Sequence, residues 1–257
     1  MTDTILRATP RPGVLHLTLN RPEKRNALNV EMLGALAAGL DEARSDDRVR
    51  CVVLSGDARA FCAGTDITEM VEGGLAVLES DARDGAWKTI EGFPKPLVAA
   101  VVGVAYGGGH ELAMLCDIVI AGENARFCQP EINIGILPGD GATQRIPRSI
   151  GKSLAMKMIL SGEPIDAATA LAAGLVAEVA PHEVALDRAL DLAAKIAEKS
   201  PVVLQLAKRA VLAAYETGLS EGLEEERRIL TRAFATEDRA EGMKAFLEKR
   251  PPNWRGR

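Results

Sequence analysis

The chain has 257 residues, 47% of them apolar and 26% charged, and a formal net charge of −5. That composition lies far from the profile of a disordered chain and suffices for one large domain or a core with an appendage. The acidic balance argues against a general nucleic-acid partner, and no apolar run reaches the ~18 residues a membrane span needs.

The opening residues, MTDTILRATPRPG, lack the apolar core of a signal peptide, so the expected location is cytoplasmic with no membrane partner. Residues 14–20, VLHLTLN, alternate as a strand and run into the polar loop RPEKRNALN, where Lys24 and Arg25 stand side by side. VEMLGALAAGLDEAR then puts Met32, Leu33, Leu36 and Leu40 on one stripe, an amphipathic helix that Asn29 can cap. CVVLSG is a short buried strand closed by Gly56. Strand and helix therefore alternate from the start, which favours an α/β fold.

Residues 57–70 read as a loop in which Ala63-Gly64-Thr65 bends before a helix start at Asp66. Residues 71–93 are weakly helical and interrupted by Gly73, Gly74 and Gly85, as expected of a mobile segment over a pocket. Residues 98–104 are too apolar for a surface strand and should be buried on both faces. Gly107, Gly108 and Gly109 follow, then a helix bearing Glu111, a second strand, and a turn that presents Glu131 beside Pro130. Further on, residues 151–162 form a helix ending at Gly162, PIDAATALAAGL a shorter one, and VAEVA a strand. From His182 the pattern is wholly helical, over 182–199, 202–217, 219–235 and 239–249. The expected division is a core of residues 1–181 with the active site and a helical region of residues 182–257. The latter is too small to stand alone and should pack on its own core or on a neighbouring subunit.

Chemistry concentrates between residues 94 and 145. Three glycines at a helix start let a ligand approach free N–H groups at the positive end of the helix, a setting suited to a developing oxyanion. Glu111 and Glu131 flank that turn. Either alone fits a dipole-satisfying or salt-bridged carboxylate; together, beside one glycine-rich turn, they point to acid–base chemistry next to a carbonyl. Other motifs fail on spacing. The third glycine of a G-x-G-x-x-G would fall on Leu112, the first glycine of a P-loop on Ile146, and no G-x-S-x-G is present. Cys51, Cys62, Cys116 and Cys128 form no C-x-x-C and are expected as buried thiols; His16, His110 and His182 are scattered, so no metal is expected. Lys24-Arg25 and Lys249-Arg250 read as solvated surface or as contacts to the phosphates of an anionic ligand.

FCAGTDI, GGGHELAMLCDIVIAGENARF, QPEINIGILPGDGATQR and ATEDRAEGMKAFLEKR together resemble the enoyl-CoA hydratase/isomerase (crotonase) superfamily. The resemblance extends from the Arg21-Pro22…Asn26-Ala27-Leu28 loop to the last helix. It implies a spiral of ββα units and a helical C-terminal region used in trimerisation, with trimers pairing into hexamers. It also implies that the N–H groups of Thr65 and Gly108 form the oxyanion hole and that Glu111 and Glu131 are the catalytic pair of the hydratase branch. Ala63, Asp66, Ile67 and Thr68 match the segment along the CoA adenine and pantetheine, Lys24 and Ala27 belong to the same binding set, and Lys249 approaches the CoA phosphates. No metal or redox cofactor is implied, since coenzyme A arrives as part of the substrate.

Two positions depart from the usual pattern. Thr65 stands where many relatives have a smaller residue, with its N–H retained. Asp140, in PGDGATQ, takes the place of a small residue and is expected as a turn aspartate facing solvent; lining the acyl pocket, it would oppose a terminal carboxylate on the substrate. The activity this resemblance implies is hydration of a trans-2-enoyl-CoA, in fatty-acid breakdown or as a 2,3-dehydroadipyl-CoA hydratase. The rivals are an enoyl-CoA delta-isomerase and a non-catalytic acyl-CoA or RNA-binding scaffold.

Overall fold

A computed structural model describes residues 3–257. In chain order the strands are β1 (Ile5–Arg11), β2 (Val14–Leu19), β3 (Cys51–Ser55), β4 (Ala60–Cys62), β5 (Leu97–Val101), β6 (Val104–Tyr106), β7 (Ile118–Gly122), β8 (Arg126–Cys128), β9 (Ile165–Asp166) and β10 (Glu178–Ala180). The helices of the first half are α1 (Val30–Ser45), α2 (Ile67–Gly73), α3 (Leu75–Leu78), α4 (Asp81–Glu91) and α5 (Gly108–Leu115). The second half adds α6 (Ala142–Ile150), α7 (Lys152–Ser161), α8 (Ala167–Ala173), α9 (Ala185–Ala197), α10 (Pro201–Ala213), α11 (Leu219–Phe234) and α12 (Glu237–Glu248). Short 3-10 turns lie at Pro22–Lys24 and Glu131–Ile134.

The spiral follows from how consecutive strands are shared between two sheets. One sheet runs β1-β2-β3-β5-β7-β10 and the other β4-β6-β8-β9. Each pair β3/β4, β5/β6 and β7/β8 gives its first strand to the first sheet and its second to the other, all in parallel register. Helices close each turn, so the chain advances as repeated ββα units. Only β1 and β9 run antiparallel to their neighbours.

Residues 98–104, expected as one strand, are two. Gly103 adopts φ +67° and the chain turns there from β5 into β6. A side chain at Gly103 would collide with the Arg59 carbonyl, so the backbone crossing between the two sheets requires glycine. The expectation of burial on both faces holds within β3 and β5. Val52 and Leu54 join the core under α1 and α4, while Cys51 and Val53 face the other way onto α9. Ala189, Leu190, Ala193 and Ala197 of α9 complete that second face.

This packing bears on the division expected at residue 181. Helix α9 follows that point in the chain but seals the outer face of the first sheet, because its small-residue stripe can lie flat on β3, β5 and β7. The helices standing off the sheet begin at Pro201. The weakly patterned residues 71–93 are helical: α2, α3 and α4 cover one side of the molecule, with Ser80 accepting from the Arg83 amide as N-cap of α4. All four cysteines are buried and free. No helix among the described residues is long and apolar enough to cross a membrane.

Candidate active site

Two loops build the site by approaching each other's backbone. The first carries Thr65, which forms an isolated parallel bridge with Leu28: Leu28 N–H donates to Gly64 O at 2.7 Å, and Asp66 N–H to Leu28 O at 2.8 Å. In that pattern the Thr65 amide faces away from Leu28, and it donates to no acceptor among the described residues. The second loop is the entry to α5. Gly108 is the first residue of the helix, so its amide has no intrahelical partner. The two amides lie side by side: a Cβ built on Gly108 would stand 3.4 Å from Thr65 N and 2.9 Å from Thr65 Oγ1. Two unbonded N–H groups, one at the positive end of a helix, form a place for a partial negative charge.

Glu111 sits in the first turn of α5 and is 2% exposed. Its Oε1 accepts from the amides of Asp140 at 2.8 Å and Ala142 at 2.9 Å, at the entry to α6. Its Oε2 has no hydrogen-bond partner among the described residues. Burial raises its pKa to about 7 against the opposing pull of the Ala142 amide, with the charges of Asp140 and Glu131 adding to the rise. Desolvation thus outweighs two good hydrogen bonds, leaving a carboxyl poised to exchange a proton near neutrality.

Glu131 opens the 3-10 turn after Pro130, half-buried, with its carboxylate against the glycine turn: a Cβ on Gly107 would lie 2.5 Å from Oε1. Gly107 has φ +49°, so the position is closed to a side chain on both counts. Burial also raises the pKa of Glu131, with Asp140 adding to it. The Gln129 amide satisfies its neighbours in one orientation, accepting from His110 Nδ1 at 3.1 Å and donating to both Glu131 oxygens at 3.2 Å. His110 is fully buried and its pKa is pushed down to about 3, so it is neutral.

Thr65, Gly108, Glu111 and Glu131 therefore meet around one turn. The other predicted residues, Lys249 apart, spread along one edge. Ala63 N–H donates to Arg25 O at 3.0 Å, which ties the Ala63–Thr68 stretch to the loop holding Lys24 and Ala27. Asp66 caps α2 through the Thr68 amide and pairs with Arg21 at 2.9 Å, so its carboxylate shapes the loop. Ile67 and Thr68 are exposed at the start of α2, and Lys24 is exposed beside them. Lys249 is exposed as the left-handed cap of α12, and no contact among the described residues joins it to the site.

Asp140 corrects an expectation. Its side chain is 10% exposed and ion-paired with Arg83 of α4, so it is no solvent-facing turn residue. Arg83 was missed in the sequence, as was the Gln129–His110 link. A signal for Arg83 existed: with Ala86, Trp87 and Ile90 it shares one helical face, and all four are buried.

The comparisons with known proteins give one family and one fold. The family model for enoyl-CoA hydratase/isomerase matches residues 10–257. A 2,3-dehydroadipyl-CoA hydratase of Escherichia coli is 52% identical, covering 95% of this chain and 96% of its own. The mitochondrial enoyl-CoA hydratase of Pongo abelii is 45% identical, covering 93% of this chain and 82% of its own. The crystal structure of an enoyl-CoA hydratase from Bacillus anthracis superposes with a TM-score of 0.94 at 35% identity, over 99% of this chain and 100% of that one. With that likeness running through both sheets, the glycine turn and the terminal helices, the chain belongs to the enoyl-CoA hydratase/isomerase family.

Proposed function

We propose that this chain is an enoyl-CoA hydratase, adding water across the double bond of a trans-2-enoyl-CoA to give a 3-hydroxyacyl-CoA. The observation that carries the reading is the meeting of two unbonded amides with a buried and a half-buried carboxyl, both of raised proton affinity, around the turn at Gly107. The thioester oxygen accepts from Thr65 and Gly108, each donor contributing about 3 kcal/mol to the enolate-like transition state. Glu111 takes a proton from water as the water oxygen bonds to C3, and Glu131 delivers a proton to C2. The C2=C3 π bond and one O–H bond of water break, one C–O and one C–H bond form, Glu111 gains a proton as Glu131 gives one up, and return of that proton to Glu131 resets the pair. The two carboxyls titrate as a coupled pair. The Ala63–Thr68 edge, with Ala27 and Lys24, takes the adenine and pantetheine, and Lys249 the CoA phosphates. No further cofactor takes part.

For the acyl group, the pairing of Asp140 with Arg83 removes the charge objection to a dicarboxylyl substrate. With a 2,3-dehydroadipyl-CoA hydratase at 52% identity, that substrate joins the short straight-chain enoyl-CoAs as the first to test. The assembly is a homotrimer or a pair of trimers, supported by the exposed Leu219, Phe234, Met243, Phe246 and Leu247 on α11 and α12. The test is loss of the conjugated enoyl-thioester absorbance across acyl lengths and with 2,3-dehydroadipyl-CoA. Saturable loss supports hydration. Turnover of a 3-enoyl-CoA to its 2-enoyl isomer, without loss of the conjugated band on any 2-enoyl substrate, would favour an isomerase instead.

A further inference from the structure

The turn that orients Glu111 carries a third carboxylate, neutralised from a distant part of the chain. Asp140 N–H donates to Glu111 Oε1 at 2.8 Å, so the backbone of Asp140 sets the position of one Glu111 donor. Its side chain has the opposite influence, since a negative charge there raises the proton affinity of both Glu111 and Glu131. Less well offset, that charge would raise the proton affinity of Glu111 further and leave less carboxylate free to accept a proton from water. The compensating group is Arg83. It reaches Asp140 from α4, with the two side chains 11% and 10% exposed, and its guanidinium carbon lies 5.9 Å from the centre of the Trp87 ring. Among the described residues Asp140 is its only acidic partner. A pair so enclosed stabilises the fold weakly because desolvation offsets the attraction, so its value lies in what it holds in place.

We infer that Arg83 is a positioning residue for hydration, acting through Asp140 to offset part of that carboxylate's charge beside Glu111 and to fix the turn at residues 139–142 whose amides orient it. This rests on the hydratase reading above. The groups facing Glu111 limit what else could move its titration. Asp140 faces it from the entry to α6 and Glu131 from the 3-10 turn. His110 on its own helix is neutral, with a pKa of about 3; the Cys62 thiol on β4 is pushed up to about 12 by burial; and Tyr106 on β6 is likewise raised. Arg145 of α6 touches the Asp140 carbonyl at 3.4 Å, but its own charge is paired with Glu91. The balance at Glu111 therefore turns on Asp140, Glu131 and Arg83.

The experiment is the pH profile of kcat on a short 2-enoyl-CoA for the wild type, Arg83→Gln, Asp140→Asn and the double variant. Arg83→Gln should move the acid limb up by about one pH unit and lower kcat at pH 7 about fivefold through protonation alone, with KM changed by less than about twofold. Asp140→Asn should move the limb down, and the double variant should return it close to the wild-type position. A merely structural role would lower activity without moving the limb, and removing Asp140 would not repair it. An unmoved limb in the single variants, or a double variant no closer to wild type than Arg83→Gln, overturns the inference. Should Arg83→Gln not fold, the double variant is compared with Asp140→Asn: a limb that moves back up once Arg83 is also removed supports the inference, and a limb left at the Asp140→Asn position overturns it. Absence of hydration in the wild type would overturn the hydratase reading itself, so the two failures are read apart.

Discussion

At Glu111 function and stability pull in opposite directions. Its carboxyl has a pKa of about 7 in the fold against 4.5 for the free group, through burial first. Between those values the folded state holds more protons than the unfolded, so stability falls as pH rises through the window and stays lower above it. The cost at pH 8 is on the order of 3 kcal/mol. Glu111→Gln keeps an oxygen for the Asp140 and Ala142 amides, so thermal melts should show the variant more stable than wild type at pH 8, with the advantage vanishing near pH 4. The same titration predicts that wild-type kcat falls as pH drops through about 7. Thr65 supplies a backbone amide, so Thr65→Ala should keep kcat/KM within about threefold; a loss of a hundredfold would give its hydroxyl a role of its own. Gly108, Glu111 and Glu131 drew notice in the sequence because they lie around three adjacent glycines in one stretch, whereas Thr65, in a separate loop, came only from the motif resemblance. For Arg83 spacing could mark only a place on the buried face of its helix, and for Gln129 not even that, because the carboxylate each meets is set by a fold contact.

The helices declared themselves where a cap and an apolar stripe coincided. Asn29 Oδ1 accepts from the Met32 amide at 2.9 Å, and Met32, Leu33, Leu36 and Leu40 are all buried, as the spacing predicts. The second sheet was illegible for the opposite reason: β4, β6 and β8 are three residues each, too short to show a period of two. Strand β1 was hidden by Pro10, which an edge strand tolerates because one side makes no ladder bonds. Lys95 was silent in the sequence. Only 6% exposed, it donates to the carbonyls of Ala43, Asp46 and Val49 at 2.7, 2.8 and 2.8 Å, gathering the end of α1 and the approach to β3. Lys95→Met strands three acceptors and should cost about 3 kcal/mol or more by denaturant titration. A change below about 1 kcal/mol would mean that water serves those carbonyls as well.

At the scale of the whole molecule, the last three helices expose several large apolar side chains. Phe246 and Leu247 are 83% and 81% exposed, and Leu219 is 80%. Phe246→Asp combined with Leu247→Asp should shift the sedimentation coefficient from that of a trimer or hexamer to that of a smaller species; an unchanged coefficient would place the interface elsewhere. The spiral itself was expected from motif resemblance, while the role of α9 as a cover for the first sheet came only from packing. The proposed hydration rests on the joint action of Glu111 and Glu131 on a thioester held by two amides. Its most direct test is the rate at which 2-butenoyl-CoA loses its conjugated absorbance with wild type, Glu111→Gln and Glu131→Gln, each shown folded by circular dichroism. Saturable hydration by wild type and a ~10²–10⁴-fold lower kcat in each variant is the predicted result. Near-wild-type turnover by either variant would contradict it.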